Sequence, residues 1–265
     1  MGRLEAPAVA RRSIRSPRVS VVIPALNEAE NLPHVLATLP AGTYELVLVD
    51  GHSIDGTSTV AREHYPSVKI VGQPGRGKGD ALRAGFAACT GDVIVMMDAD
   101  GSTDGAEIER FVAALVEGAD YAKGSRFMAG GGSEDITLLR RAGNLVFCWL
   151  VNRLYKTAYT DLCYGYNAFW RSALPALALD CAGFEVETVL NVRAAKARLR
   201  VAEVPSVEHL RIHGKSNLHP VRDGLRVLRA ILREREHRPR GERVAAIDLA
   251  GADVEMVGAD GFRGP

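Results

Sequence analysis

The chain has 265 residues, 47% of them hydrophobic and 25% charged, with a formal net charge of +1. That composition suits a single large α/β domain with its own core and lacks the one-sided basic surplus of a general nucleic-acid binder, so no nucleic-acid partner is expected. Cys89, Cys148, Cys163 and Cys181 are widely spaced with no C-x-x-C pair, which argues for free thiols in a reducing compartment over a disulfide frame or zinc site.

Residues 1–17 are rich in Arg, Ala and Pro and have no apolar central run, so they read as a disordered leader and not as a signal peptide. An apolar run at 19–24 predicts a buried strand, and Leu32, Val35, Leu36 and Leu39 mark the helix that follows it. The unit repeats as a strand at 45–50, a polar turn at 51–56 and a short helix at 57–65. A third strand at 68–71 leads into the Gly-rich stretch 72–79 and a helix at 80–89. Strands alternating with helices over short connections imply right-handed crossovers and a mostly parallel sheet, on which ligands bind at the carboxyl ends of the strands. Pro24, Asn27, Glu28, Asp50, Ser53, Asp55, Lys78, Asp98 and Asp100 all fall at those ends.

The Gly-rich stretch nearly matches a P-loop, but Gly79 stands where that motif needs Ser or Thr, and Gly75-x-Gly77-x-Gly79 lacks the dinucleotide-binding spacing. It reads as a flexible loop with Lys78 at a helix start, suited to a donor phosphate or sugar or simply solvated.

Five apolar residues, Val93 to Met97, end in Asp98-Ala99-Asp100. At i and i+2 on an extended chain the two carboxylates point the same way, with Ala99 too small to obstruct what lies between them. Carboxylates so close repel unless a cation joins them. Oxygen-only ligands suit Mg²⁺ or Mn²⁺, which keep water and complete their shell with substrate phosphates. The alternative is a turn in which Asp98 caps the helix opening near Asp104.

Beyond this motif the pattern predicts a helix at 106–116, a strand at 120–126, a Gly-rich loop at 129–135 and a helix at 138–155. In that helix Leu139, Val146, Trp149 and Leu150 are expected in the core; with Arg140, Arg141, Arg153 and Lys156 flanking them, a membrane surface is the second reading. A turn at 160–166 feeds a strand, residues 183–187 open a helix running to Ala195, and 201–204 is the last strand. Cations gather around Gly214 in 209–217 as in a phosphate-binding loop. The helix 221–234 carries Val221, Leu225, Leu228 and Leu232 on one face beside Arg222, Arg226, Arg229 and Arg233. The small, acidic tail at 237–265 reads as disordered. The longest apolar stretch after the core strands, 145–151, falls short of the roughly 20 residues of a membrane span.

Taken together the motifs resemble inverting family 2 glycosyltransferases of the GT-A fold, most closely dolichol- or polyprenol-phosphate sugar synthases. The carriers are Val-Val-Ile-Pro-Ala-Leu-Asn-Glu at 21–28, Val-Asp-Gly-His-Ser-Ile-Asp-Gly-Thr at 49–57 and Gly-Lys-Gly at 77–79. Met-Asp-Ala-Asp-Gly-Ser at 97–102, Gly-Ser-Arg at 124–126 and Arg-Ile-His-Gly-Lys-Ser at 211–216 complete the set. The resemblance covers about residues 19–233. It implies an α/β, Rossmann-like nucleotide-diphospho-sugar transferase fold, a mostly parallel sheet flanked by helices in one domain over 18–236. It also implies that Pro24, Ala25, Glu28, Val49 and Asp50 hold the nucleotide of a GDP-mannose or UDP-hexose donor, with Asp55, Lys78, Ala99 and Lys215 in the same donor set. Asp98 and Asp100 would bind Mg²⁺ or Mn²⁺ under the diphosphate, and Arg126 and Arg211 would meet phosphate groups. Gly51, Ser102 and Asn217 depart from the pattern, replacing an acidic residue, a glutamine and a basic residue.

A lipid phosphate is ionised at neutral pH and needs little or no general base; it needs positioning and arginines to offset repulsion from the donor's diphosphate. Asp161 is the candidate base if the acceptor is a hydroxyl. The reading is therefore a metal-dependent transferase moving a hexosyl group to a polyprenyl phosphate, cytoplasmic and held peripherally at the membrane face by the helix 221–234. A soluble hydroxyl acceptor is the first alternative. A sugar nucleotidyltransferase is the second, although such enzymes place a Gly-rich, Arg-containing loop where Pro24-Ala25-Leu26-Asn27-Glu28 stands.

Overall fold

Seven short segments hydrogen-bond into one central sheet in a computed structural model that describes residues 16–215 and 218–236. They are β1 (Val19–Ala25), β2 (Glu45–Asp50), β3 (Lys69–Gly72), β4 (Val93–Met96), β5 (Tyr121–Ser125), β7 (Asn167–Trp170) and β8 (Val201–Pro205), while β6 (Gly132–Ser133) and β9 (Val207–Glu208) form a separate pair. The helices are α1 (Leu32–Ala37), α2 (Thr57–His64), α3 (Lys78–Ala88), α4 (Ile108–Val116), α5 (Leu138–Tyr155), α6 (Leu174–Leu177), α7 (Val186–Lys196) and α8 (Pro220–Glu236).

The sheet order is β3-β2-β1-β4-β7-β5-β8, parallel throughout except that β7 runs antiparallel to both β4 and β5. Successive β1 side chains face opposite ways and seed two cores. Val21 and Ile23 pack with Leu46, Leu48 and Phe111 beneath α1, α2 and α4; Val22 packs with Val47, Leu82 and Phe169 beneath α3 and α7. A third cluster, Cys148, Val151, Leu162, Val192, Val227 and Ile231, joins α5, α7 and α8.

The α/β architecture with a mostly parallel sheet is as expected, and most elements fall within a residue or two of the expected bounds. Four features differ. Residues 129–135 are not all loop, since Gly132 and Ser133 pair with Val207 and Glu208; a two-residue strand has no periodicity to read. The helical turn from Arg171 through α6 was not expected. Asp104, not Asp98, caps the helix leading into α4, its carboxylate accepting from the Ala106 amide at 2.9 Å. On α5 only Asn144, Cys148 and Val151 are buried, while Leu139, Val146 and Trp149, expected in the core, are 64%, 58% and 67% exposed. The expected leader up to residue 15, the expected tail 237–265, Ser216 and Asn217 lie outside the described residues.

Helix α3 lies so close to the sheet that a Cβ on Gly85 would stand 2.5 Å from Val22 Cγ1 and 2.9 Å from Val49 Cγ2. Gly85→Ala is expected to cost about 1–3 kcal/mol in urea unfolding through overpacking. Gly42→Ala, at a site with no atom within 4 Å of the added carbon, should be within about 0.5 kcal/mol of the parent.

Candidate active site

Pro24 and Ala25 end β1, and the chain turns through Asn27, whose φ of 56° is left-handed, to bring Glu28 under the sheet edge. This turn is laced to the loop after β2. Asn27 and Ala29 donate their amides to Ser53 Oγ (2.9 Å) and Asp55 Oδ2 (3.0 Å), and the Ile54 amide donates to Asn27 Oδ1 at 2.9 Å. Asp50 accepts from the Ser53 amide and Ser58 Oγ, each at 2.9 Å. Burial alone would raise the Asp50 and Asp55 carboxyls, but these hydrogen bonds, with one from Thr57 Oγ1 to Asp55 Oδ1 at 2.5 Å, hold both below the usual carboxylate range. Both residues thus shape the loops and do not line the cleft described below; Val49 is fully buried and Lys215 is exposed.

The Gly-rich stretch is held more tightly than expected. Gln73 Nε2 donates to Gly77 O at 2.8 Å, the Gly75 amide to Asp80 Oδ2 at 2.7 Å and the Gly79 amide to Ala182 O at 2.9 Å. Gly77 has a φ of +91° and its missing Cβ would stand 2.3 Å from Ala182 O, so only glycine fits. This anchoring sets the first residue of α3, Lys78, across the cleft floor.

Lys78 Nζ lies 2.6 Å from Asp98 Oδ1 and 2.7 Å from Glu187 Oε1. Burial would lower the Lys78 ammonium, but the two carboxylates raise it well above its ordinary value, so it stays charged. Glu187, on the first turn of α7, is itself pushed up by burial. Asp100 accepts from the Ser102 amide (3.0 Å) and Ser102 Oγ (2.6 Å) through Oδ1 and from Arg211 Nη1 (3.1 Å) through Oδ2. Arg211 also hydrogen-bonds Glu28, whose carboxyl is raised by burial. The loop carrying Arg211 is seated by the Ile212 amide on Asp100 O (3.2 Å) and the His213 amide on Asn31 Oδ1 (2.9 Å).

Asp98 and Asp100 therefore each face one cation. No group of three or more His, Cys, Asp or Glu side chains suited to a metal occurs among the described residues. Two carboxylates with a serine hydroxyl beside one of them fit a hard divalent cation that takes its remaining ligands from water and phosphate.

Arg126 is 6% exposed and bound by two acids. Its Nε and Nη2 donate to Asp161 at 2.7 and 3.0 Å, and its Nη1 donates to both Glu208 oxygens at 3.1 and 3.0 Å. Burial would lower this guanidinium, but the pairing holds it above its ordinary value. Asp161, the expected base for a hydroxyl acceptor, is fully buried with both oxygens on Arg126 and does not line the cleft; it orients the arginine. Arg140 on α5 reaches Asp135 at 2.7 Å and Glu208 at 3.6 Å.

These groups converge on a cleft of about 870 Å³. Of the expected site residues, Pro24, Ala25, Glu28, Lys78, Asp98, Ala99, Asp100, Arg126 and Arg211 line it. Glu187, Glu208 and Arg140 line it too and were missed. Glu187 was legible only as part of a helix start, because nothing in Glu185-Val186-Glu187 marks which carboxylate turns inward. Helices α5 and α8 close the cleft with Leu139, Phe147, Val221 and Val227.

The sequence matches Glycosyl transferase family 2 over residues 20–177. It is 36% identical over 201 residues to an uncharacterized glycosyltransferase of Mycobacterium tuberculosis, covering 76% of this chain and 89% of that one. It is 30% identical to the dolichol-phosphate mannosyltransferase of Pyrococcus furiosus over 76% of this chain and 59% of that one. The fold is similar to glucosyl-3-phosphoglycerate synthase from M. tuberculosis, crystallised with Mn²⁺, uridine diphosphate and glucosyl-3-phosphoglycerate, with a TM-score of 0.68 and 22% identity over 86% of this chain and 84% of that one.

Removing Arg126 leaves Asp161, fully buried, without its counter-charge. Arg126→Met is expected to lower stability by about 3–5 kcal/mol in urea unfolding. A variant as stable as the parent would mean that this network is not formed.

Proposed function

Since the chain belongs to Glycosyl transferase family 2, we propose that it moves a hexosyl group from a nucleotide-diphosphate sugar, GDP-mannose or a UDP-hexose, to a polyprenyl phosphate with inversion. The observation that carries the reading is the make-up of the cleft. Asp98, Asp100 and Arg126 follow strands and Lys78 and Glu187 open α3 and α7 to give it a charged part, whereas α5 and α8 supply Leu139, Phe147, Val221 and Val227. A donor diphosphate suits the first part and a prenyl chain the second. The helices continue outward as exposed apolar surface, with Leu138, Leu145, Val146, Trp149, Leu225 and Leu232 all more than half or nearly half exposed. Such a surface calls for a partner, and a bilayer presenting a lipid phosphate would cover it. No helix among the described residues is long and apolar enough to cross a membrane, so contact would be peripheral.

In this reading Asp98 and Asp100 hold Mg²⁺ or Mn²⁺, with Ser102 fixing the Asp100 carboxylate. The bound cation would act as a Lewis acid for the departing nucleoside diphosphate. Lys78, released from Asp98, would meet diphosphate oxygens, and Glu187 would remain to orient its ammonium. Arg211, Arg126 and Arg140 would offset the repulsion between acceptor phosphate and donor diphosphate. The acceptor oxygen is already anionic, so no proton need be removed, in keeping with the commitment of Asp161 to Arg126.

A soluble acceptor is the second reading, favoured by the fold similarity to an enzyme crystallised with glucosyl-3-phosphoglycerate. Incubating the protein with Mn²⁺ and a panel of nucleotide sugars, adding either a short-chain polyprenyl phosphate or 3-phosphoglycerate, separates the two. Nucleoside diphosphate release that depends on the lipid phosphate supports the proposal; release with 3-phosphoglycerate alone would replace it.

Asp98→Asn and Asp100→Asn should each lower turnover by about 10³-fold, roughly 4 kcal/mol of transition-state stabilisation, while leaving the melting temperature nearly unchanged. EDTA should abolish parent activity, and near-normal turnover in EDTA would remove the metal from the scheme.

On α5, Trp149→Glu should weaken flotation with anionic vesicles by at least about fivefold, since it places a charge in the apolar contact. The fold should be unaffected, because Trp149 is 67% exposed. Equal flotation of parent and variant would move the contact elsewhere.

A further inference from the structure

Beside the cleft, and sharing Arg76 and Gly77 with it, lies a groove of about 500 Å³ lined by four arginines. Arg226, Arg229 and Arg233 recur at three- and four-residue steps along one flank of α8, and Arg76 enters from the Gly-rich loop opposite. Ala182 and Gly183, to which that loop is tied, lie between them.

Four guanidinium groups around one hollow repel unless something negative sits there. Neighbouring acids offset two of the four only in part. Asp180 and Glu234 pair with Arg193 at 2.6 and 2.7 Å, and Asp223 accepts from the His219 amide at 2.8 Å. Arg226 pairs with Asp223 at 3.3 Å, and Arg233 lies 3.6 Å from Asp180 and 3.9 Å from Glu234. Among the described residues neither Arg76 nor Arg229 forms an ion pair. The one acid lining the groove is Glu185. Its Oε1 accepts from the Gly183 amide at 3.2 Å, and its buried Oε2 has no hydrogen-bond partner among the described residues. The groove thus offers guanidinium forks that match phosphate oxygens.

We propose that this groove, which adjoins the cleft at Arg76 and Gly77, is a second anion site that takes the phosphate group of a phosphate ester. The guanidinium groups hold the phosphate oxygens. Both a phospholipid headgroup and a small soluble phosphate ester have this chemistry.

The site is read by binding alone, without reference to glycosyl transfer. The full chain is titrated with sn-glycerol 1-phosphate by calorimetry, and in parallel sedimented with phosphatidylcholine vesicles with and without phosphatidylglycerol. Arg229→Glu/Arg233→Glu is compared with Arg222→Glu/Arg235→Glu, which makes the same charge change on the same helix outside the groove. The groove pair should weaken binding at least about tenfold and the control pair less than about twofold. Arg229→Lys/Arg233→Lys, which keeps the charge and loses the forks, should also weaken it, so the result does not rest on one variant folding. Response to glycerol phosphate identifies a soluble ester; response to the anionic vesicles alone identifies a headgroup. Binding of neither probe, or equal losses in the groove and control pairs, would overturn the proposal, the latter because diffuse charge attraction would explain it.

Discussion

Two aspartates at the end of a fully buried strand need compensating charge, and much of the site is arranged around that need. Asp98 and Asp100 follow β4 into the cleft, where each is met by a cation from a distant part of the chain: Lys78 from the start of α3 and Arg211 from the loop after β9. Left unpaired, charges at this depth would carry a large desolvation cost. Lys78 and Arg211 can occupy these positions because their loops are pinned by hydrogen bonds to Ala182, Asn31 and Asp100. On the proposed reading, donor and cation replace these internal ion pairs with stronger ones, and the lysine and arginine become free to act on phosphate oxygens. Part of the electrostatic work of binding is then prepared in the fold itself.

A second ionic cluster has a different character. Arg126, Asp161 and Glu208 are mutually satisfied and almost wholly buried, and Arg140 and Ser133 extend the network. Replacing such a network with well-packed apolar groups is often neutral or stabilising, so its value lies in geometry. It ties β5, the turn before β7 and the small β6–β9 pair together at one wall of the cleft. The consequence is that Arg126 presents a fixed face to whatever binds, and Asp161 has no free oxygen with which to act as a base.

The third constraint is apolar. Helices α5 and α8 pack on α7 through Cys148, Val151, Val192, Val227 and Ile231, and present a second apolar side outward. On the proposed reading, that outward side would lie against a lipid surface. The cleft opens against these same helices, so an acceptor with a polar head and an apolar tail would meet matching surfaces along its length.

Local pattern was enough to reveal the alternating strands and helices, the α5 bounds and the cluster of polar residues at strand ends, because these follow from hydrophobic periodicity and from where a strand must stop. Asp98 and Asp100 stood out for the same reason, as two carboxylates closing an apolar run, and both line the cleft; a cation shared between them belongs to the proposal. What the tertiary structure decided were matters of pairing between distant segments. The antiparallel course of β7 leaves no mark in Asn167-Ala168-Phe169-Trp170, since a strand buried between two others looks alike in either direction. The inward turn of Glu187, the commitment of Asp161 to Arg126 and the exposure of Leu139, Val146 and Trp149 depend on which face of each element meets a neighbour. Hydrophobic patterning marks apolar side chains without saying whether the protein or something outside it covers them, and a charged residue discloses its role only when its partner, 20 to 183 residues away in the chain, is brought beside it.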